Sequence, residues 1–197
     1  MSWLDQQPPK SVVYVAFGSL AIFSEVQFKE LAHGLVLTGR PLLWVVRPDF
    51  TTGLSKEWVD DFLEENKEKC KIVDWAPQQQ QVLAHESVAC FMSHCGWNST
   101  LEGLRNGLPF LCWPYFTDQF MNQSYICNVW GNGMKMESDE SRIVYRERVR
   151  DRVEELLSSE EIAKKVQELK ELAARNLSIG GTSYQNFKRL VNLMMGE

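Results

Sequence analysis

The chain has 197 residues, of which 44% are hydrophobic and 24% are charged, and its formal net charge is -5. This length and composition are typical of one globular domain with a sizeable core, and the negative charge argues against a nucleic-acid backbone as the main partner. No apolar run approaches the roughly 18 residues of a membrane span. The opening sequence MSWLDQQPPK lacks the apolar core of a secretory signal.

The cysteines indicate a reducing compartment. Five of them are scattered along the chain, and none forms a C-x-x-C pair. An odd number without metal-ligand spacing is typical of free thiols, so we expect a cytoplasmic protein without a zinc site. These residues are Cys70, Cys90, Cys95, Cys112 and Cys127.

The first half of the chain alternates buried strands with helices. Residues 1–10 predict an extended lead-in that is stiffened by two prolines, and the apolar run SVVYVAFGS then predicts a strand buried on both faces. The segment SEVQFKELAHGLVLTG predicts a helix with Ser24 as N-cap and Gly39 as its stop. A second strand is predicted in PLLWVVRP and a second helix in KEWVDDFLEEN.

The alternation continues beyond residue 70. KIVDWAP, SVACFMSH and LPFLCWP predict three further strands, with the short helix STLEGLRNG between the last two. A helix in QFMNQSYICNVWG and a short strand in GMKME follow, and then charged surface helices that are interrupted at Gly180 and Gly181. Such alternation predicts an α/β fold with a parallel sheet and helices on both of its faces.

Polar or aromatic side chains follow four of the predicted strands. Ser19 follows the first strand, Trp75 closes the third, the segment 94–99 follows the fourth, and the sequence YFTDQ follows the fifth. In doubly wound sheets, ligands bind beyond the carboxyl ends of the strands. We therefore expect these side chains to outline a single crevice.

The segment HCGWNSTLEG, residues 94–103, has two interpretations. Ser99 as N-cap and Glu102 reaching back to it would form a capping box that does no more than start a helix. The same helix start would also seat a phosphate, with His94 and Asn98 as additional donors. Glu102 would repel phosphate but would suit a ribose diol, so a nucleoside diphosphate fits both features.

Other residues are ambiguous when each is taken alone. Trp75 could be a core residue or a stacking platform, and Asp118 could simply cap the next helix. The sequence GNG at 131–133 lacks a third glycine and precedes a strand, so it does not form a dinucleotide fingerprint.

Taken together, the motifs from Trp75 to Gln119, WAPQ, HCGWNSTLEG and WPYFTDQ, resemble the signature box of plant UDP-sugar-dependent glycosyltransferases. SWLDQQPPKSVVYVAFGS resembles the entry to the C-terminal domain of that family, and GGTSYQNFKRLV resembles its closing helix. The resemblance covers essentially the whole chain. It implies the C-terminal half of a GT-B fold, in which two Rossmann-like domains face each other.

The resemblance implies a domain organisation. Residues 11–178 would form the Rossmann-like UDP-sugar-binding domain. Residues 179–197 would form a helix that packs back on an N-terminal, acceptor-binding domain that this chain lacks.

The resemblance also implies a role for each motif residue. Trp75 would stack on uracil, and the backbone of Ala76 would read the edge of the base. Gln78 is taken as the family's glutamine, although one surplus residue between Trp75 and His85 leaves its register open. Glu102 would hold the ribose hydroxyls. The diphosphate would be held by Ser19, His94, Asn98 and Ser99, and the sugar, glucose in the family when the box ends in glutamine, would face Trp97, Asp118 and Gln119.

The implied reaction is an inverting displacement at the anomeric carbon, with neither metal nor cofactor. The family's general base is a histidine of the N-terminal domain, assisted by an aspartate, and neither lies in this chain. His94 lies on the leaving-group side, so we assign it to binding. Three classes of function remain: the donor-binding half of a glycosyltransferase, a stand-alone nucleotide-sugar binding module, and a structural or interaction domain without catalysis.

Overall fold

The computed structural model describes residues 1–48, 51–52, 55–75 and 78–196, and its strands and helices alternate along this part of the chain. The strands are β1 (Val12–Ala16), β2 (Phe23–Ser24), β3 (Leu42–Val45), β4 (Thr51–Thr52), β5 (Cys70–Val73), β6 (Val88–Ser93), β7 (Phe110–Cys112) and β8 (Gly133–Lys135). The α-helices are α1 (Glu25–Leu37), α2 (Lys56–Asn66), α3 (Gln79–Leu83), α4 (Trp97–Asn106), α5 (Gln119–Ser124), α6 (Arg146–Ser158), α7 (Glu160–Leu177) and α8 (Thr182–Met195).

Six of the described strands form one parallel sheet in the order β5-β3-β1-β6-β7-β8. The chain runs outward from β1 through β3 to β5, and then returns to the other side of β1 as β6. The strand order therefore reverses between β1 and β6, which is where doubly wound sheets open a ligand crevice. The α/β, Rossmann-like fold expected from the sequence is confirmed.

The sheet is covered on both faces, which explains why its strands are nearly continuous apolar runs. All five residues of β1 and all six of β6 are buried. Alternate residues of β1 enter opposite cores, Val13 and Val15 on one face and Tyr14 on the other. The first core packs against α1, α2 and α6, and the second against α3 and the helix after α5.

The predicted boundaries of α1 are confirmed. The Ser24 hydroxyl accepts a hydrogen bond from the Gln27 backbone N–H at 3.2 Å, and Gly39 adopts the left-handed conformation at φ +67° just beyond the helix. Arg146 of α6 pairs with Glu30 of α1, and this guanidinium lowers the pKa of the Glu30 carboxyl. The pair ties the two helices together on one face of the sheet.

Three local expectations differ from the structure. The lead-in is not simply extended, because residues Leu4–Gln6 form a 3-10 turn that buries Leu4 in the second core. The third strand ends at Val73 and does not run on to the proline at 77, a residue outside the described part of the chain. The helix that begins as α5 continues from Tyr125 to Trp130 as a π-helix, which periodicity alone did not indicate.

Helix α8 buries none of its residues. Four of its apolar residues are exposed, as expected if they pack against a domain that this chain lacks: Phe187, Leu190, Val191 and Leu193. None of the described helices, α8 included, is long and apolar enough to cross a membrane. The helix is thus an amphipathic element whose apolar side faces solvent in this chain.

We predict that α8 contributes little to the stability of the chain. Leu190→Ala should change the free energy of unfolding by less than about 0.5 kcal/mol, since a surface side chain away from special features has that range. The matched variant Leu35→Ala, in α1, removes a side chain that is 1% exposed and should cost about 2–5 kcal/mol. Denaturant unfolding measures both. A large cost at Leu190, together with slow hydrogen exchange along α8 in a strictly monomeric sample, would contradict the prediction.

Candidate functional site

A groove of about 340 Å³ lies at the carboxyl ends of β1 and β6, where the strand order reverses. It collects side chains from segments that are far apart in the sequence. Its lining consists of Ala16, Gly18, Ser19, Val45, Trp75, Gln79, His94, Gly96, Trp97, Asn98 and Ser99. Six of the residues singled out from the sequence, Ser19, Trp75, His94, Trp97, Asn98 and Ser99, therefore line one groove, as expected.

The imidazole of His94 is packed between two glycines. Gly18, in the left-handed conformation at φ +68° after β1, would place a Cβ atom 2.5 Å from His94 Nε2. A Cβ atom on Gly96 would also collide with Nε2. Only residues without side chains let the turns after β1 and β6 approach the ring this closely. The ring edge that carries Nε2 thus lies beside the backbone of both turns.

Burial lowers the pKa of His94 below its usual value. A hydrogen bond with the Ala16 backbone and the negative charge of Asp118 act in the opposite direction. The desolvated ring is therefore largely neutral near pH 7. An anion bound in the groove would raise the pKa of the imidazole, because an opposite charge favours the protonated form.

Helix α4 starts three residues earlier than the capping box predicted. Gly96, with extended backbone angles, is the N-cap residue, and no side chain caps the helix. Ser99 is thus the third helical residue and not the cap, and the interpretation of Glu102 as its capping partner is wrong. The reason is the conformation of Gly96, which lets the helix begin at Trp97. The residues of this first turn line the groove, and an uncapped helix start is favourable for anions.

Glu102 takes its hydrogen bonds from α3 instead. Gln79 Nε2 donates to Glu102 Oε2 at 2.7 Å and also approaches the Ser99 hydroxyl oxygen at 3.2 Å. Gln80 Nε2 makes a longer contact with Glu102 Oε1 at 3.4 Å. The carboxylate therefore stands at the edge of the groove, next to Ser99, with acceptor capacity left for hydroxyl groups.

The surplus glutamine changes the register of this segment. Gln78 is exposed and does not line the groove, whereas Gln79 lines it and contacts both Ser99 and Glu102. The distance in sequence from Trp75 predicted Gln78 as the glutamine of the site. The structure has Gln79 there instead, because the buried residues Val82 and Leu83 fix the orientation of α3 against the core.

Trp75 and Ser19 form two walls of the groove. The Trp75 indole is 60% exposed at the end of β5, so it is a surface platform and not a core residue. The backbone carbonyl of Ser19 accepts a hydrogen bond from the Arg47 guanidinium, which also donates to the Ala21 carbonyl at 3.0 Å. Arg47 thus orders the loop after β1. Ala76, assigned to the base edge, lies outside the described residues.

The last part of the signature box folds beside the groove and does not line it. Asp118 is exposed and occupies the N-cap position of α5, although its side chain makes no capping hydrogen bond. Its carboxylate accepts from the Thr117 hydroxyl at 2.9 Å and from Asn122 Nδ2 at 3.0 Å. Gln119 is buried, and its Oε1 accepts from the backbone N–H groups of Tyr115 and Phe116. The Gln119 amide therefore braces its own loop. Its contact with a sugar stays a prediction.

Three contributors to the site were not identified from the sequence. Gln79 was hidden in a run of four glutamines. Arg47 could have been found as the polar residue near the end of the predicted strand PLLWVVRP. Asn122 is buried and links the Cys95 carbonyl, at 2.9 Å, to the Asp118 carboxylate. Nothing in its helical context indicated that role.

The arrangement suits an anionic ligand with an aromatic ring and vicinal hydroxyls. An uncapped helix start, an imidazole, a hydroxyl and an exposed indole line one groove. The Glu102 carboxylate lies beside it and lines the neighbouring groove, and it is linked to the first groove through Gln79. In the described part of the chain, no group of three or more His, Cys, Asp or Glu side chains is placed to hold a metal ion.

Comparison with known proteins agrees with this geometry. Residues 3–174 match the family model described as UDP-glucoronosyl and UDP-glucosyl transferase. UDP-glycosyltransferase 83A1 of Arabidopsis thaliana is 42% identical over 100% of this chain, and 7-deoxyloganetin glucosyltransferase of Catharanthus roseus is 39% identical over 100% of it. The crystal structure of Os79 from O. sativa in complex with UDP superposes with a TM-score of 0.88 at 36% identity over 96% of this chain.

The chain spans 40% of the length of each of these two curated relatives and 42% of the Os79 chain. It corresponds to the C-terminal part of such enzymes. The matched residues include the whole groove and every residue of the signature box. On this evidence from sequence and fold together, the chain belongs to the UDP-glucoronosyl and UDP-glucosyl transferase family.

Proposed function

We propose that this chain binds a UDP-sugar, with UDP-glucose as donor, as the donor-binding half of an inverting glycosyltransferase that acts on small-molecule acceptors. The observation that carries the proposal is the groove itself. An uncapped helix start and a half-buried imidazole lie beside a carboxylate and an exposed indole, at the place where the strand order reverses. Relatives solved with UDP support the same ligand class.

Each part of the donor is assigned to a part of the groove. Uracil stacks on Trp75 with its edge toward Ala76, and the ribose hydroxyls donate to Glu102. The diphosphate lies at the start of α4, where it meets Asn98, Ser99, His94 and Ser19. The sugar lies toward Trp97, Asp118 and Gln119. Gln79 replaces Gln78 in this proposal, because only Gln79 reaches the groove.

The groove contributes leaving-group stabilisation to the reaction. An acceptor hydroxyl attacks the anomeric carbon, the bond from that carbon to the phosphate oxygen breaks, and UDP departs with the bonding electrons. The N–H groups of α4 and the His94 imidazole stabilise the departing charge, so neither a metal nor a cofactor is required in this scheme. The acceptor proton goes to a general base.

We propose that this base, together with the acceptor pocket, belongs to the part of the relatives that this chain does not cover. The His94 ring packs between Gly18 and Gly96. It lies on the side of the groove that is assigned to the phosphates, away from an incoming acceptor. The chain alone would then bind donor without turnover. A cytoplasmic location is also proposed, since all five cysteines are free thiols.

The first prediction concerns Glu102. Glu102→Ala should weaken UDP binding by about 1–3 kcal/mol, because it removes the acceptor for the ribose and one hydrogen-bond partner of the Gln79 amide. The exposed residue Glu140 provides a control of the same charge, and Glu140→Ala should leave UDP affinity unchanged. Isothermal titration measures both variants. Equal affinity of the wild type and Glu102→Ala would refute the assignment.

The second prediction concerns the packing of His94. Gly18→Ala and Gly39→Ala both introduce a side chain at positive φ, at +68° and +67°, and should share a similar strain of about 1–2 kcal/mol. Only Gly18→Ala displaces His94, since a Cβ atom at Gly39 meets nothing within 4 Å. UDP affinity should fall about tenfold or more in Gly18→Ala alone. A similar loss in both variants would show that His94 is not involved.

The third prediction concerns turnover. The chain should bind UDP-glucose but form no product with a panel of phenolic acceptors, because a missing general base alone costs about 10²–10⁴-fold and lost acceptor positioning costs more. Product is measured by chromatography after long incubation. Glucosylated product that disappears in His94→Ala would show that the base lies in this chain and that our assignment of His94 is wrong.

A further inference from the structure

A buried tyrosine is connected to the groove through one glutamine. Tyr14 of β1 is 0% exposed, and its ring stacks on Phe91 at a centroid distance of 5.2 Å. Its hydroxyl donates to Gln79 Oε1 at 3.1 Å, across 65 residues of sequence. Gln79 Nε2 in turn reaches Glu102 Oε2 at 2.7 Å and the Ser99 hydroxyl at 3.2 Å. The network therefore runs from the second core to the rim of the site.

The chemistry of the groups fixes the direction of every hydrogen bond. Burial, and secondly the charge of Glu102, raise the pKa of Tyr14, so its hydroxyl stays protonated and can donate. Because Gln79 Oε1 accepts from Tyr14, Gln79 Nε2, which can only donate, faces the Glu102 carboxylate and the Ser99 hydroxyl oxygen. The opposite amide orientation would set Oε1 against the Glu102 carboxylate, two acceptors without a proton between them.

This order determines what the site offers to a ligand. The Ser99 oxygen accepts from Gln79, so the Ser99 proton is left to donate toward an anion at the start of α4. Glu102 accepts from Gln79 at 2.7 Å on one oxygen and from Gln80 at 3.4 Å on the other, and it keeps its remaining lone pairs for hydroxyl donors. The tyrosine thus selects a donor next to the phosphate position and an acceptor next to the ribose position.

We propose that Tyr14 is a positioning residue, which acts through Gln79 to orient Glu102 and Ser99 for the ribose and the diphosphate of a nucleoside diphosphate. The inference rests on the proposed function and deepens it. Tyr14 is buried beneath Gln79 and touches no ligand, so its effect is on the orientation of the two groups that do.

The test is Tyr14→Phe, which keeps the buried ring and removes only the hydroxyl. UDP affinity should fall about 3–10-fold, the effect of one neutral hydrogen bond. Binding of 2′,3′-dideoxyuridine diphosphate, which lacks the ribose hydroxyls, should fall clearly less than that of UDP, because Glu102 has no hydroxyl to hold there and the effect through Ser99 alone is left. Titration calorimetry with both nucleotides gives the comparison. A purely structural role would weaken both nucleotides equally, and either that result or unchanged UDP affinity would overturn the inference.

Gln79→Leu provides a second route to the same answer. It should reproduce the loss of discrimination between the two nucleotides, whereas Gln81→Leu, an exposed glutamine on the same helix, should not. In the Glu102→Gln background, Tyr14→Phe should have a smaller further effect on UDP affinity than it has in the wild type. Independent, additive effects of the two substitutions would contradict the proposed connection. Failure of the wild type to bind UDP at all would overturn the proposed function as well, which distinguishes the two outcomes.

Discussion

The contact on which the site depends is the close packing of the His94 ring against the backbone of Gly18 and Gly96. Parallel pairing of β1 with β6 sets the two turns side by side, but pairing alone leaves room for side chains. Because Gly18 and Gly96 carry no Cβ atom, the His94 ring, the loop after β1 and the start of α4 converge on one small volume. Anion binding by backbone N–H groups, an imidazole and a hydroxyl follows from that convergence.

Around this contact, the rest of the site is held by groups that touch no ligand in the proposal. Arg47 fixes the carbonyls of the β1 loop, Asn122 joins the turn before α4 to Asp118, and Tyr14 orients Gln79. These three side chains come from different parts of the fold. Arg47 and Asn122 each bond two partners, and Tyr14 is the buried end of the hydrogen-bond network through Gln79. The groove is therefore preorganised by the fold and does not depend on a ligand to assemble it.

The sequence predicted the sheet and the position of the crevice well, because continuous apolar runs and strand-end residues such as Ser19 and His94 are local signals. It failed where the outcome depended on backbone geometry or on distant contacts. The start of α4 is set by the conformation of Gly96, which the pattern S-T-L-E obscured. Among four consecutive glutamines, only the packing of Leu83 in the core decides that Gln79 faces Glu102. The bracing role of Gln119 depends on the backbone geometry of its own loop, where its Oε1 accepts from the N–H groups of Tyr115 and Phe116.

The most direct test of the central claim is a crystal structure of this chain with UDP. The account predicts phosphate oxygens about 3 Å from His94 Nε2 and from the Ser99 hydroxyl, the distance of a hydrogen bond. It also predicts the uracil ring on the Trp75 indole and the ribose hydroxyls on Glu102. UDP with its phosphates in the neighbouring groove beside Gln81 and Arg105, away from His94, or no bound nucleotide at saturating concentration, would contradict it.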